Sequence, residues 1–368
     1  MKRGIIVIYV LLAIVNNALA TPIDLNKKKL SSPPPRIVRQ CCAFGADVGV
    51  IGVPYLKITH VTSKDNIGNH VYLGGKKEGN GLIYTEKGGF IDLGHLRDQA
   101  DWVAYVYALI RFNLQEGYNN KKLGYEGGQK ILTFDIPANI DSIDAILLAG
   151  KITYDLSVWH EIATWFGVST VPGVPERFSS FSVEDVYSNL LGVNLGIKAL
   201  KSHLPFEEAM TALLAETLDS LGAVSTADET NTALEKVRDI WWTKEKRIPH
   251  REVLVERHWD AYNNTSPWLV PGWTEEEIEP CHQEIPLFST DGTDLNKYYK
   301  LKIELNFKFP FEEIFPERTD KTITQEDFDK LLIRVGTDLA QSISHKDVKS
   351  LEALRLHDKN TSSFSFIK

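Results

Sequence analysis

Apolar positions recur with a period near two in the first third of the chain and near 3.6 in the middle. That change lays out the architecture. Between Val48 and Leu93 the short runs YLKITHV, NHVYLGG, GLIYT and GGFIDL, punctuated by glycine, predict a small antiparallel sheet. HLRDQADWVAYVYALIRFNL (His95 to Leu114) then predicts a strongly apolar helix, with Asp98 and Asp101 at its positive end. A glycine-containing loop from Gly117 to Gly128 leads to the strand KILTFDI, closed by Pro137. Helical spacing returns from Ile140 to Gly167, as one helix or as two joined near Gly150. The following loop, VSTVPGVPERFSS, has the length of a rim or lid, or of a plain connection.

Three more helices follow. SFSVEDVYSNLLGVNLGIKAL has Ser182 placed as N-cap and Glu184 and Asp185 in its first turn. PFEEAMTALLAETLDSLGAV and TADETNTALEKVRDIWW continue the pattern. YYKLKIELNFKFPF (Tyr298 to Phe311) alternates as a strand, and ITQEDFDKLLIRVGTDLAQSI is an amphipathic helix that Thr324 can cap. The expected fold class is α+β, with a small N-terminal antiparallel sheet, a helical middle and a C-terminal strand-helix unit. Residues 37–280 form the expected main domain, and residues 281–368 an extension packed on it.

The N-terminus stands apart from this pattern. Lys2 and Arg3 precede the apolar run Gly4 to Val15, and Ala18-Leu19-Ala20 supplies small residues at cleavage spacing. Residues 1–20 therefore read as a secretory signal peptide, and residues 21–36 as a Pro-rich leader. No later stretch approaches the roughly 18 apolar residues of a membrane span. The expectation is an exported soluble protein, periplasmic or secreted. Without Lys2 and Arg3 the chain has 39 basic and 49 acidic residues, a formal charge of −10. An acidic balance with no basic run argues against nucleic acid as a partner. The cysteines are Cys41, Cys42 and Cys281, and an oxidising compartment favours a bridge from one of the vicinal pair, Cys42 for example, to Cys281.

The chemistry centres on LSVWHEIATWFG (Leu156 to Gly167), where His160 and Glu161 sit in an apolar helix and require partners. The segment is similar to the active helix of zinc metalloproteases, whose His-Glu-x-x-His motif carries two metal ligands one turn apart and a glutamate as general base. Here Thr164 stands where the second histidine belongs. A metal site, for zinc or another divalent ion, therefore needs another histidine. His95 is the candidate, opening a helix directly after a strand, with Asp98 to orient it. Glu184, 24 residues after His160, is the candidate third ligand, and Glu161 the general base. Tyr187 and Arg97 are placed to support the group, and the Arg97 fork suits a carboxylate or phosphate. The competing reading is non-catalytic: His160 is a satisfied core histidine paired with Asp98, Tyr187 or Glu184, and Glu161 salt-bridges an arginine. A third reading is a papain-like amidase, with His70 as base and Cys41 or Cys42 as thiol.

PPRIVRQCCAFG, GNGLIYTEKGGFIDLGHLRDQADW, LSVWHEIATWFG and SFSVEDVYSNLLG together resemble an uncharacterised family of exported bacterial proteins, classed as a domain of unknown function. The resemblance spans most of residues 34 to 280. It implies a Gram-negative source and a periplasmic or secreted protein, and it carries no activity. A metal-dependent, peptidase-like hydrolase acting on a peptide, cell-envelope or host-derived substrate is the leading expectation. A secreted or periplasmic binding or effector protein is its competitor.

Overall fold

A computed structural model describes residues 30–35, 38–39, 43–49, 57–117, 120–168, 179–244 and 254–344. Among these, seven α-helices and two antiparallel sheets make an α+β fold. The first sheet is a hairpin of β1 (Leu82–Thr85) and β2 (Gly89–Asp92), paired from Leu82↔Asp92 to Thr85↔Gly89. All eight residues are buried, so both faces are covered by other elements. Of the four expected N-terminal strands, GLIYT and GGFID are the ones that take ladder pairing among the described residues. Residues 69–75 form a loop in which side chains take the backbone N–H groups of residues 70–73. His70 donates to Thr211 Oγ1, Val71 to Glu78 Oε1, Tyr72 to Glu207 Oε1 and Leu73 to Asp101 Oδ2. With these donors satisfied by side chains, no ladder is required.

α1 (Leu93–Glu116) follows β2 without a loop, because Asp92 ends the strand and caps the helix. Its carboxylate Oδ1 accepts the N–H groups of Gly94 and His95, which lack partners within the helix. α1 is buried nearly all round and packs on both α2 (Ser142–Trp165) and α3 (Asp185–Lys201). α2 runs unbroken through Gly150, which decides between the one-helix and two-helix expectations. α3 begins at Asp185 and not near Ser182. The Ser182 hydroxyl donates to the Glu184 carboxylate instead of capping the helix. α4 (Phe206–Ser220) and α5 (Ala227–Lys236) follow, and Thr226 and Glu229 form a capping box on α5.

The second sheet has the order β3-β4-β5-β6, built from Asn120–Tyr125, Gly128–Phe134, Tyr299–Leu305 and Thr322–Thr324. β4 alternates buried and half-buried residues, as one packed face requires. β5, from the C-terminal part, lies between β4 and β6, in register from Gly128↔Leu305 to Phe134↔Tyr299. α6 (Phe311–Ile314) and α7 (Phe328–Ser344) complete the chain. Thr324 closes a capping box with Asp327 at the turn before α7, and α7 packs on α2.

The crossing of α1 and α3 is set by glycine. A Cβ added at Gly192 would lie 2.1 Å from the Leu96 carbonyl oxygen, and one at Gly196 would lie 3.0 Å from the Ala100 Cα. The spacing Gly192-x-x-x-Gly196 puts both on one face of α3, so the backbones meet directly. Gly192→Ala is expected to force the helices apart and cost about 3 kcal/mol, as overpacking does. Urea denaturation would read this as a lower midpoint, and an unchanged midpoint would show that the two helices part freely.

Candidate metal centre

The approach of α3 to α1 sets three donor atoms near one another. Asp92, His95 and Asp185 each offer one ligand atom within 4.8 Å of the others, and all three residues are buried. His95 Nδ1 stands 2.6 Å from Asp185 Oδ1 and 3.8 Å from Asp92 Oδ2. Asp92 spends Oδ1 on the N-terminus of α1, while its other oxygen is buried and accepts no hydrogen bond from any described residue. The Asp92 N–H donates to the Ser188 hydroxyl, which fixes α3 against the strand end. A cap residue and its i+3 neighbour thus share the first turn of α1, and the first residue of α3 closes the group.

Two further acids lie close by. Glu184, immediately before α3, is fully buried, and its Oε1 accepts no hydrogen bond from any described residue. Burial and the charge of Asp185 push its carboxyl well up, against the hydroxyl of Ser182. Burial and Asp185 also push Glu161 up, opposed by His160, the Phe181 N–H and His95. Burial raises Asp92, His95 opposes the rise and Asp185 adds to it. Concentrated buried carboxylate of this kind favours uptake of a proton or a cation.

Glu161 is tied to the turn that precedes α3. Its Oε2 accepts the Phe181 N–H at 2.7 Å, and its backbone carbonyl accepts the Ser180 hydroxyl at 2.8 Å. Phe181 is buried with φ +54°, a left-handed conformation costly for a bulky side chain. Glu161 therefore pins the strained turn that delivers Asp185.

His160, one residue away, points elsewhere. Its Nδ1 lies 2.7 Å from Glu126 Oε1, and Lys130 Nζ lies 2.7 Å from Glu126 Oε2. A small cavity of about 30 Å³ is lined by His95, Gln99, Glu126, Ser157, His160 and Asn189 among others. That volume holds one or two waters or an ion with its water.

The structure thus brings His95 and His160 to one cavity but groups His95 with Asp92 and Asp185, not with His160 and Glu184 as ligands. Asp98 does not orient His95. It accepts the Val38 and Arg39 N–H groups and the Arg39 guanidinium. Arg97 is fully buried, donating to Glu78 and to the carbonyls of Ile67 and Gly68. Tyr187 donates to the Cys281 carbonyl, and Thr164 is buried one turn from His160. His70 pairs through Nε2 with Asp101 at 3.0 Å, while Cys41 and Cys42 lie outside the described residues, as does the core (169–178) of the expected lid. The Cys42–Cys281 bridge therefore involves a residue that is not described, and Cys281 itself is half-buried. Sequence reasoning missed Asp92, Glu126 and Lys130 and placed Asp185 only in the first turn of a helix. The spacing Asp92-x-x-His95 at a strand-to-helix junction was the available signal, since it places a cap and an imidazole on one turn.

A second charge cluster gathers round α1, with Asp98 also lining the cavity. Arg39 bridges Glu78, Asp98 and Asp101 at 2.7 to 2.9 Å, and Arg97 reaches Glu78 at 3.3 Å. Burial would raise Glu78, but the Arg39 and Val71 hydrogen bonds and the charges of Arg39 and Arg97 hold it down to about 2. A depressed carboxyl stabilises the fold above its unfolded value near 4.5, and that contribution is lost as pH falls through about 2. Glu78→Gln is thus expected to cost on the order of 3 kcal/mol at pH 7, where one arginine is also left without its anion. The difference from the parent should shrink in denaturation curves taken below pH 4. A difference independent of pH would show that Glu78 is not held charged.

A family model described as "Protein of unknown function (DUF4056)" matches residues 29–271. No curated protein and no solved structure matches the chain.

Proposed function

The chain belongs to the DUF4056 family of proteins of unknown function, and we propose that it is a metal-dependent hydrolase whose metal is held by Asp92, His95 and Asp185. One observation carries this reading. Three buried residues on three elements bring ligand atoms within 4.8 Å of one another, and Asp92 Oδ2 accepts no hydrogen bond from any described residue. A buried carboxylate oxygen left in that state is costly, and a cation relieves the cost. One imidazole and two carboxylates suit zinc, manganese or iron(II), with positions left for water and substrate. Zinc is the ion we favour.

A metal at this place would lie beside the cavity that His95 lines and would polarise a carbonyl or acidify a water there. Ser157, Gln99 and Asn189 offer hydrogen-bonding groups on the cavity wall. The substrate we infer is a peptide or cell-envelope component, because the N-terminal pattern supports export. No helix among the described residues is long and apolar enough to cross a membrane. The small size of the cavity favours a second reading, in which the ion only knits α1 and α3 together in a secreted or periplasmic binding or effector protein.

Metal uptake is the first test. Protein stripped with EDTA should gain thermal stability on addition of Zn²⁺, by about 2.7 kcal/mol at a hundredfold excess over Kd. Asp185→Asn and Asp92→Asn should each remove the gain. A stripped protein whose melting is indifferent to Zn²⁺, Mn²⁺ and Fe²⁺ would sink the proposal. Uptake without any hydrolysis of ester or peptide probes would favour the structural ion.

A further inference from the structure

From Leu148 to Trp165 every residue of α2 is buried except His160, which meets the cavity at 20% side-chain exposure. Its environment is built with some care. The carboxylate at Nδ1 can only accept, so the neutral imidazole carries its proton on Nδ1 and its lone pair on Nε2. Glu126 is itself 1% exposed, fixed by Lys130 through Oε2 and by the Trp159 indole N–H, which donates to the Glu126 carbonyl at 3.0 Å. Lys130 is 5% exposed and stands on β4, so the strand sets the position of the pair. Burying a lysine-glutamate pair is expensive, and an apolar pair of similar size would pack α2 on the sheet at lower cost.

We propose that His160 Nε2 is the proton acceptor for a water held in this cavity beside the Asp92–His95–Asp185 group, with Glu126 and Lys130 as positioning residues. The inference rests on the hydrolytic reading above and assigns the base to His160, where the local motif similarity pointed to Glu161. In the step proposed, a water O–H bond breaks and the proton passes to Nε2. The oxygen's electron pair forms the bond to the acyl carbon, whose bond to the leaving group breaks. The leaving group keeps that electron pair and takes the proton from Nε2, so the imidazole ends as it began. Glu126 strengthens the imidazole as a base and stabilises its cation, and Lys130 keeps Glu126 charged and in place.

The test compares the whole protein with His160→Gln, Glu126→Gln and Asp185→Asn, using Zn²⁺ alone and 4-nitrophenyl acetate as probes. Calorimetry should show that His160→Gln binds Zn²⁺ within about threefold of the parent. The Zn²⁺-dependent hydrolysis of that variant should fall about 100-fold or more, and the acid limb of its pH profile should vanish. Added imidazole should restore part of the rate. Independently of any turnover, ¹⁵N spectra of the imidazole should show the neutral ring protonated at Nδ1 in the parent and a tautomer mixture in Glu126→Gln. The inference is overturned by an Nε2-protonated ring in the parent, by a His160→Gln variant that keeps its rate and acid limb, or by one that loses Zn²⁺ along with its rate. If the parent does not hydrolyse the probe, the tautomer decides. Zn²⁺ binding that survives in Asp185→Asn overturns the metal assignment instead, and leaves the His160 tautomer as a separate result.

Discussion

The structure depends on a direct backbone contact between two helices. α3 lies against α1 with no side chain between Gly192 and the Leu96 carbonyl, and at that separation the first residue of α3 meets the first turn of α1. A wider crossing would leave Asp185 short of His95 and return both to solvent or to other partners. The strained turn at Phe181, tied by Glu161, fixes the same approach from the other side. Helix spacing and helix start are thus set by separate devices that agree on one place.

Two kinds of buried charge meet α1. Arg39 and Arg97 face Glu78, Asp98 and Asp101 in a cluster that nearly neutralises itself and joins residues 38–39 and the 67–78 loop to the helix. Asp92, Asp185, Glu161 and Glu184 share the neighbourhood of His95, and three of these four acids are pushed toward the protonated form. The first arrangement is what a fold uses for cohesion. The second is costly for a fold alone, which is the physical reason for reading it as a site.

Much of the fold was legible because helical and strand periods are local. The helical middle, the GLIYT–GGFID hairpin and the C-terminal strand followed from spacing and glycine. The NHVYLGG segment was misread, since its donors are satisfied by Thr211, Glu78, Glu207 and Asp101 from distant positions, which no window reveals. His95 and His160 line one cavity. Their partners were not legible, because Asp92 is disguised as a helix cap and Glu126 sits in a polar turn 34 residues before His160. The pairing of Asp98 with Arg39 likewise depends on where the 38–39 segment returns. Adjacent residues of one motif, His160 and Glu161, serve different neighbours because 100° of helical turn separates them.

The position of β5 bears on how the molecule is made. β4 carries Lys130, whose backbone pairs with Ile303 of β5, and β5 lies beyond the last residue matched by the family model. Until Tyr299–Leu305 has left the ribosome or an export channel, β4 has β3 on one side and an open edge on the other. The ionic pair behind His160 then rests on an unfinished sheet. Asp92, His95 and Asp185 themselves come from β2, α1 and α3, all earlier in the chain. The group of Asp92, His95 and Asp185 is thus built from residues before the last fifth of the chain, whereas the sheet behind His160 is completed by a strand within it.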